Sequence, residues 1–496
     1  MSLPASKALR LAERALPALV CVALAGSMEI PPAPPKTPSG DSAIRVVRSV
    51  QLSTDEPSAR HVESALAADP RDERKLIAAS MVFGTHGGVA VYASLNGGQS
   101  WVRATHGARR DPVFDGIDPT VTFDAEGNAY LLTLSEQLAA WKSTNGGSEW
   151  GEPVYLPGSW DRPWIDVDRT AQESMRGRVY VTGKLPIVVF GHTAQDVIGF
   201  SSSSDRGNKF SFPRLLLPAP EKELLNIVSA LLSLPDGQLV VALQTFAPEG
   251  LREPEIAGSY PTIVSSDGGR RFSGPRPGPD VHVFGHAREG KSLLGLGGAR
   301  LAVDASKGAR PRKLYMAWLD VVGGFYRVKV ASSPDDGATW SKPVLASPDP
   351  SATDQSNVAL AVNGEGVVGV SWNDRRADPT DGCYQLYFAA SGDGGATFPA
   401  EQRVEEKSTC PLAAGSDPVA SEYRFKNGGD TQGLVGLPNG GFHLAWIHGG
   451  AGEMQLWSSV LTVDRGQLLP SVPARPGETV TPEAGGSRDA RQFATP

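Results

Sequence analysis

The chain has 496 residues, 40% of them hydrophobic and 20% charged, with a formal net charge of -7. Length alone allows several domains or one large closed β architecture, so repeats have to be sought before domains are counted. The charge is mild and its signs are mixed along the chain, which leaves no electrostatic footprint for nucleic acid or an anionic membrane.

Lys7, Arg10 and Arg14 precede the apolar run "ALPALVCVALAG" and an Ala23-x-Ala25 pattern, the build of a secretory signal peptide. Residues 1–25 are therefore read as a signal segment, and the run is too short to span a bilayer. Cys21 has no good lipobox before it, which disfavours a lipid anchor. A Pro-rich linker follows over 26–42. The mature protein is expected to be secreted or periplasmic, monomeric and free of membrane spans.

From Ser94 onward one octapeptide recurs: "SLNGGQSW" at 94, "STNGGSEW" at 143, "SSDRGNKF" at 203, "SSDGGRRF" at 265, "SPDDGATW" at 333 and "SGDGGATF" at 391. In each, an Asp or Asn side chain can accept from backbone N–H groups of its own turn, the serine hydroxyl can do the same, and the glycine supplies a positive φ. Asn96, Asn145, Asp205, Asp267, Asp335 and Asp393 are thus structural staples. A single acceptor side chain per box is far from the six to eight oxygens calcium takes, so no metal is expected.

The boxes lie about 50 to 70 residues apart, a period suited to a small sheet. Alternating strands such as "VAVYAS" and "RVKVASS" run into them and "WGEPVYL" or "WSKPVLA" runs out, so each box closes a hairpin. A second hairpin lies upstream, turned by "FDAEGN", "LPDGQ", "VNGEG" or "LPNGG". Four strands per repeat make a propeller blade. A seventh unit near the C-terminus has no box and no outer strand, and "AIRVVRSVQLS" at 43–53 can supply one. The expected fold is an all-β, seven-bladed β-propeller of four-stranded blades over 43–466, six of them with boxes, closed by an N-terminal strand. A disordered tail is expected over 467–496. Cys383 at the start of one blade-six strand and Cys410 after the last fall on one rim, and in an oxidising compartment should form a disulfide.

Loops between blades emerge on the face opposite the boxes. They include "GSWDRPW", "NDRRADPTDGC" and "GSDPVASEYRFKNGGDT", whose arginines, aspartates and aromatics suit a sugar or another polar ligand. "GHAREGKS" at 285 fits the P-loop pattern but leads into a strand-like segment without a helix, so no nucleotide is expected. His282 and His286 read as surface residues, and no G-x-S-x-G elbow appears. No cofactor is implied.

The six boxes resemble the Asp-boxes, or BNR repeats, of sialidases and their relatives, over about residues 57–465. "DRPWIDVD" at 161, "SWNDRR" at 371 and "GGDTQGL" at 428 are similar to segments of exported bacterial sialidase-like BNR proteins, although Thr431 stands where a tyrosine is more usual. The Phe/Tyr-Arg-Ile-Pro motif of sialidases has only the poor match "IRVV" at 44. What the resemblance implies is a carboxylate clamp of Arg162, Arg375 and Arg424 beside Trp164, with Tyr423 as nucleophile, Glu422 or Glu136 as its base, and Asp161 or Asp430 as acid. The alternative is structural: Asp161 with Arg162, and Asp374 with Arg375 or Arg376, as ion pairs ordering long loops. Two functions stay open, a sialidase-like protein binding or hydrolysing an acidic extracellular glycan and a non-catalytic propeller holding a protein partner.

Overall fold

A computed structural model describes residues 42–84, 87–189, 192–216, 225–246, 254–284, 298–306, 312–410, 428–450 and 453–469. Seven antiparallel sheets form the blades of an all-β propeller. Blade one is Arg60–Asp69, Asp72–Phe83, Gly88–Ser94 and Val102–Arg103, and the next five repeat its order of four strands from axis to rim. In blade four the third strand is split into Glu255–Ser259 and Thr262–Ser265 at Tyr260 and Pro261. A proline there cannot donate to the ladder, so the strand breaks.

Blade seven joins both ends of the chain. Gly433–Gly436, Phe442–His448 and Gln455–Val463 are completed by Ile44–Gln51, which runs antiparallel to Gln455–Val463 from Ile44 opposite Val463 to Gln51 opposite Trp457. The N-terminal closing strand is therefore where the sequence places it. Beyond Val463, a helical turn Arg465–Leu468 buries Leu468 against blades six and seven, so Gln467 and Leu468 belong to the fold and not to a tail. The expected signal segment, and nearly all of the linker and tail, lie outside the described residues.

The six boxes share one hydrogen-bond scheme. The serine hydroxyl donates to the Asx Oδ1 at 2.7–3.0 Å. The same hydroxyl accepts from the N–H four residues on, at 2.8–3.1 Å. The Asx Oδ1 accepts from the N–H four residues after it, again at 2.8–3.1 Å. These bonds fold the corner tightly, and the glycine at its fifth position abuts the preceding blade. A Cβ on Gly98, Gly147 or Gly269 would lie 2.3–2.4 Å from His443, Ile77 or Phe200 respectively. Apolar clusters span every seam between neighbouring blades, so the core is a ring of shared interfaces. Cys383 and Cys410 form a disulfide, with Cα atoms 4.2 Å apart.

Two predictions follow from these corners and seams. Gly97 has φ +69° with open space around it, whereas Gly269 has φ +77° and faces the Phe200 ring. Gly97→Ala should cost about 1 kcal/mol for left-handed backbone, and Gly269→Ala at least ~2 kcal/mol more because a rigid ring must move. Urea unfolding of the two variants checks the difference. At the seam between blades seven and one, burial lowers the imidazole of His61 to about 4 and that of His443 to about 3. A histidine held neutral in the fold gives stability present above its ordinary value and lost as pH falls, by roughly 1.4 kcal/mol per pH unit for each ring. Stability should therefore decline between pH 6.5 and about 4, and His443→Gln should flatten the slope in pH-dependent denaturation.

Candidate functional site

The first strand of a blade starts at the propeller axis, and in several blades it starts with a bulge. Register shifts by one residue occur between Val62 and Ala65, Ile117 and Thr120, Asp161 and Trp164, and Ser356 and Ala359. Within these bulges Glu63, Asp118, Arg162 and Asn357 adopt φ of 54°, 52°, 50° and 55°. Left-handed backbone at a non-glycine residue costs on the order of 1 kcal/mol and persists only where surrounding structure enforces it. A bulge of this kind re-aims a side chain out of the alternation of its strand. Pro119 and Pro163 follow two of the bulged residues, and having no N–H they leave no orphan donor at the break.

Glu63, Asp118 and Arg162 line one cavity of about 300 Å³, together with Trp164, Arg300 and Asp430. Asp430 is the hub. Its carboxylate meets Arg162 Nη2 at 2.9 Å, and its backbone carbonyl accepts from Arg300 Nη2 at 2.6 Å. Blades three, five and seven are thus linked through one residue. The Arg300 guanidinium lies 5.2 Å over the Trp164 ring, is buried, and is lowered to about 10 by that burial and the nearby Arg162, against the pull of Asp430 and Tyr260. Asp161 stands at the rim, its Oδ2 3.2 Å from Lys184 Nζ.

The segment "GGDTQGL" seats this hub against the first blade. Glu63 N donates to Gly428 O at 2.7 Å, and a Cβ on Gly429 would lie 2.2 Å from Glu63 Cγ. Gln432 donates to Asn357 O and Ser371 Oγ, and Asn357 Nδ2 donates to Thr431 O. Beside the hub, Asp118 hydrogen-bonds to Glu63, and its carboxyl is raised, first by burial and then by Asp161 and Asp430. The hydrogen bond with Glu63 pulls the other way and lowers it.

The structure brings together Asp161, Arg162, Trp164 and Asp430 of the residues singled out from sequence. Arg375 is elsewhere: it is fully buried, donates from Nη1 to Ser356 Oγ at 3.0 Å, and does not line the cavity. Its neighbour Arg376 pairs with Asp374 at 2.7 Å and Glu401 at 2.6 Å, an ion-pair network of the kind the structural alternative describes. The expected pairing of Asp161 with Arg162 is replaced by Asp161 with Lys184 and Arg162 with Asp430. Glu136 is exposed in the turn between Ala129–Leu134 and Leu138–Ser143, away from the cavity. Glu422, Tyr423 and Arg424, like the whole "GHAREGKS" segment with His286, lie outside the described residues. His282 is half-exposed beside Asp320.

Glu63, Asp118 and Arg300 are not among the residues singled out from sequence. A signal exists for the first two: Glu63, Asp118 and Arg162 each stand six residues before the aspartate that opens the next turn, at Asp69, Asp124 and Asp168. Among the described residues no group of three or more His, Cys, Asp or Glu is placed to hold a metal ion. No described helix is long and apolar enough to cross a membrane.

No family model and no curated protein matches the chain. Solved structures do. The K499G mutant of NanB sialidase from Streptococcus pneumoniae is 10% identical with a TM-score of 0.42, over 84% of this chain and 97% of that one. The leech intramolecular trans-sialidase is 13% identical with a TM-score of 0.38, over 85% and 71%. A protein of unknown function from Dyadobacter fermentans is 13% identical with a TM-score of 0.42, over 85% and 100%. The structural neighbours thus include sialidases, and the functional reading below rests on the cavity itself.

Asp118→Asn keeps a donor toward Glu63 while removing the carboxyl. A carboxyl raised in the fold is favourable at low pH and loses stability as pH rises through its folded value. The stability of the wild type relative to Asp118→Asn should therefore fall as pH rises from about 4, in paired denaturation curves. A constant difference from pH 4 to 8 would show that Asp118 is not raised.

Proposed function

We propose that the chain is an exported, sialidase-like propeller that engages a terminal sugar of an extracellular glycan in its axial cavity. The observation that carries this reading is the convergence of Arg162 and Arg300, from different blades, on Asp430 beside the Trp164 ring in one cavity. An aromatic face with a few fixed polar groups around a pocket of this size is what a saccharide ring requires. Trp164 stacks on the sugar, in a wall that Arg162 and Arg300 fix through Asp430. Asp118 is the proton donor, because its carboxyl is raised where Asp430 serves as counter-ion to Arg162. Asp161 stays a rim residue near Lys184. Tyr423, with Glu422, is the proposed nucleophile pair if the glycan is cleaved.

The export route is supported by the disulfide, which persists in an oxidising compartment. A second reading, a protein-binding scaffold, is favoured by the ion pairs Arg162 with Asp430, Lys184 with Asp161 and Arg376 with Asp374 and Glu401, which order the loops without any ligand.

A glycan array probed with the purified chain, alongside hydrolysis of 4-methylumbelliferyl glycosides including the sialoside, tests the proposal. Trp164→Ala should weaken binding at least ~10-fold, the size of a lost stacking contact, and Arg162→Ala should weaken it by leaving Asp430 unpaired in the wall. Turnover lost in Asp118→Asn with binding retained would assign the proton donor. A wild-type chain that binds no glycan and cleaves no glycoside would leave the scaffold reading.

A further inference from the structure

The charge of the cavity constrains which sugar fits. Among the described residues lining it, the carboxyl groups are Glu63, Asp118, Asp161 and Asp430, and the cations are the guanidiniums of Arg162 and Arg300. Arg162 is matched to the Asp430 carboxylate at 2.9 Å, with both side chains mostly buried at 23% and 12% exposure. Arg300 is directed to the carbonyl of the same residue and stacked on Trp164. The seat a ligand carboxylate would take between the arginines is thus filled by the chain's own carboxylate. Glu63 adds a further carboxyl group to the same walls and Asp161 is matched by Lys184, so among the described residues an anion brought here meets no surplus of cation.

We infer that the axial cavity selects an uncharged sugar over an acidic one, with Asp430 as the residue that sets the preference by occupying the carboxylate seat of Arg162. This inference rests on the carbohydrate reading above and narrows it, since the resemblance by itself implies an acidic glycan. What remains to recognise a neutral ring is the Trp164 face and the Glu63 and Asp118 pair. The pair offers carboxyl oxygens as acceptors for sugar hydroxyls.

The test uses pairs of methyl glycosides that differ only by a carboxylate, glucoside with glucuronide and galactoside with galacturonide, together with the methyl sialoside, titrated calorimetrically into the full exported chain. The wild type should bind the neutral member of a pair at least ~10-fold more tightly, and Asp430→Asn, which keeps the side-chain size and the carbonyl used by Arg300, should abolish or invert that preference. Asp430→Ser is the second variant if the amide re-pairs with Arg162, and thermal unfolding of both variants confirms that they are folded. Tighter binding of the acidic member or of the sialoside by the wild type would overturn the inference while leaving the carbohydrate reading intact. So would a preference unchanged in both folded variants. Binding of no glycoside by the wild type would overturn the carbohydrate reading, and the inference with it.

Discussion

Everything in this molecule depends on how closely one blade can approach the next. The box corner is drawn in by its serine and Asx bonds until the glycine at its fifth position touches the preceding blade, where a Cβ would lie 2.3–3.1 Å from its neighbour. Six seams use a box in this way, and the box of blade one makes its contact on His443 of blade seven, so the first corner also serves the closing seam. There the N-terminal strand adds a full antiparallel ladder, including the hydroxyl pair of Ser49 and Ser459 at 2.8 Å. Closure removes the two free edges that an open set of blades would carry. It also buries His61 and His443 in neutral form, which makes the same seam the acid-sensitive one.

Closure supplies the force that holds the site. Residues with left-handed backbone at Glu63, Asp118 and Arg162 are strained by on the order of 1 kcal/mol each, and an isolated hairpin would relax them. In the ring they cannot relax, because the next residues along each strand are already in register with the second strand of the blade. Gly428 and Gly429 bring the seventh blade against Glu63 closely enough to make the bulge of blade one part of the closing seam. Architecture and site are consequently one problem: the corners on one face set the spacing at which the bulges meet on the axis.

The fold was legible because its signal is local. Six boxes at a regular period, each with hairpin strands around it, identify the blades without any knowledge of tertiary contacts, and the missing outer strand of the seventh points to 43–53. The site was legible only in part, since it depends on which side of a strand each residue faces. Alternation places strand neighbours on opposite sides, but Arg375 and Arg376 lie in the turn after Val368–Asp374, where one is sealed in the blade and the other joins a network with Asp374 and Glu401. A bulge then shifts the phase by one residue, which is why Glu63 and Asp118 reach the cavity from positions that read as ordinary strand. Arg300 carries no such signal: it opens the innermost strand of blade five directly after a Gly-rich stretch, with no motif around it.

Asp430 has two duties, one for its side chain and one for its backbone. Through its carboxylate it holds Arg162 of blade three, and through its carbonyl it takes Arg300 of blade five, while its own segment forms the seam with blade one. A ligand that displaced the carboxylate would therefore leave a buried guanidinium to be satisfied anew and would loosen a contact spanning the ring. A ligand that leaves it in place meets an intact wall, with the stacking face of Trp164 and the carboxyl groups of Glu63 and Asp118 already oriented. Because the groups are held by backbone that closure has strained into position, binding of the second kind needs no rearrangement, and preorganisation of that sort is where affinity for a small polar ring arises.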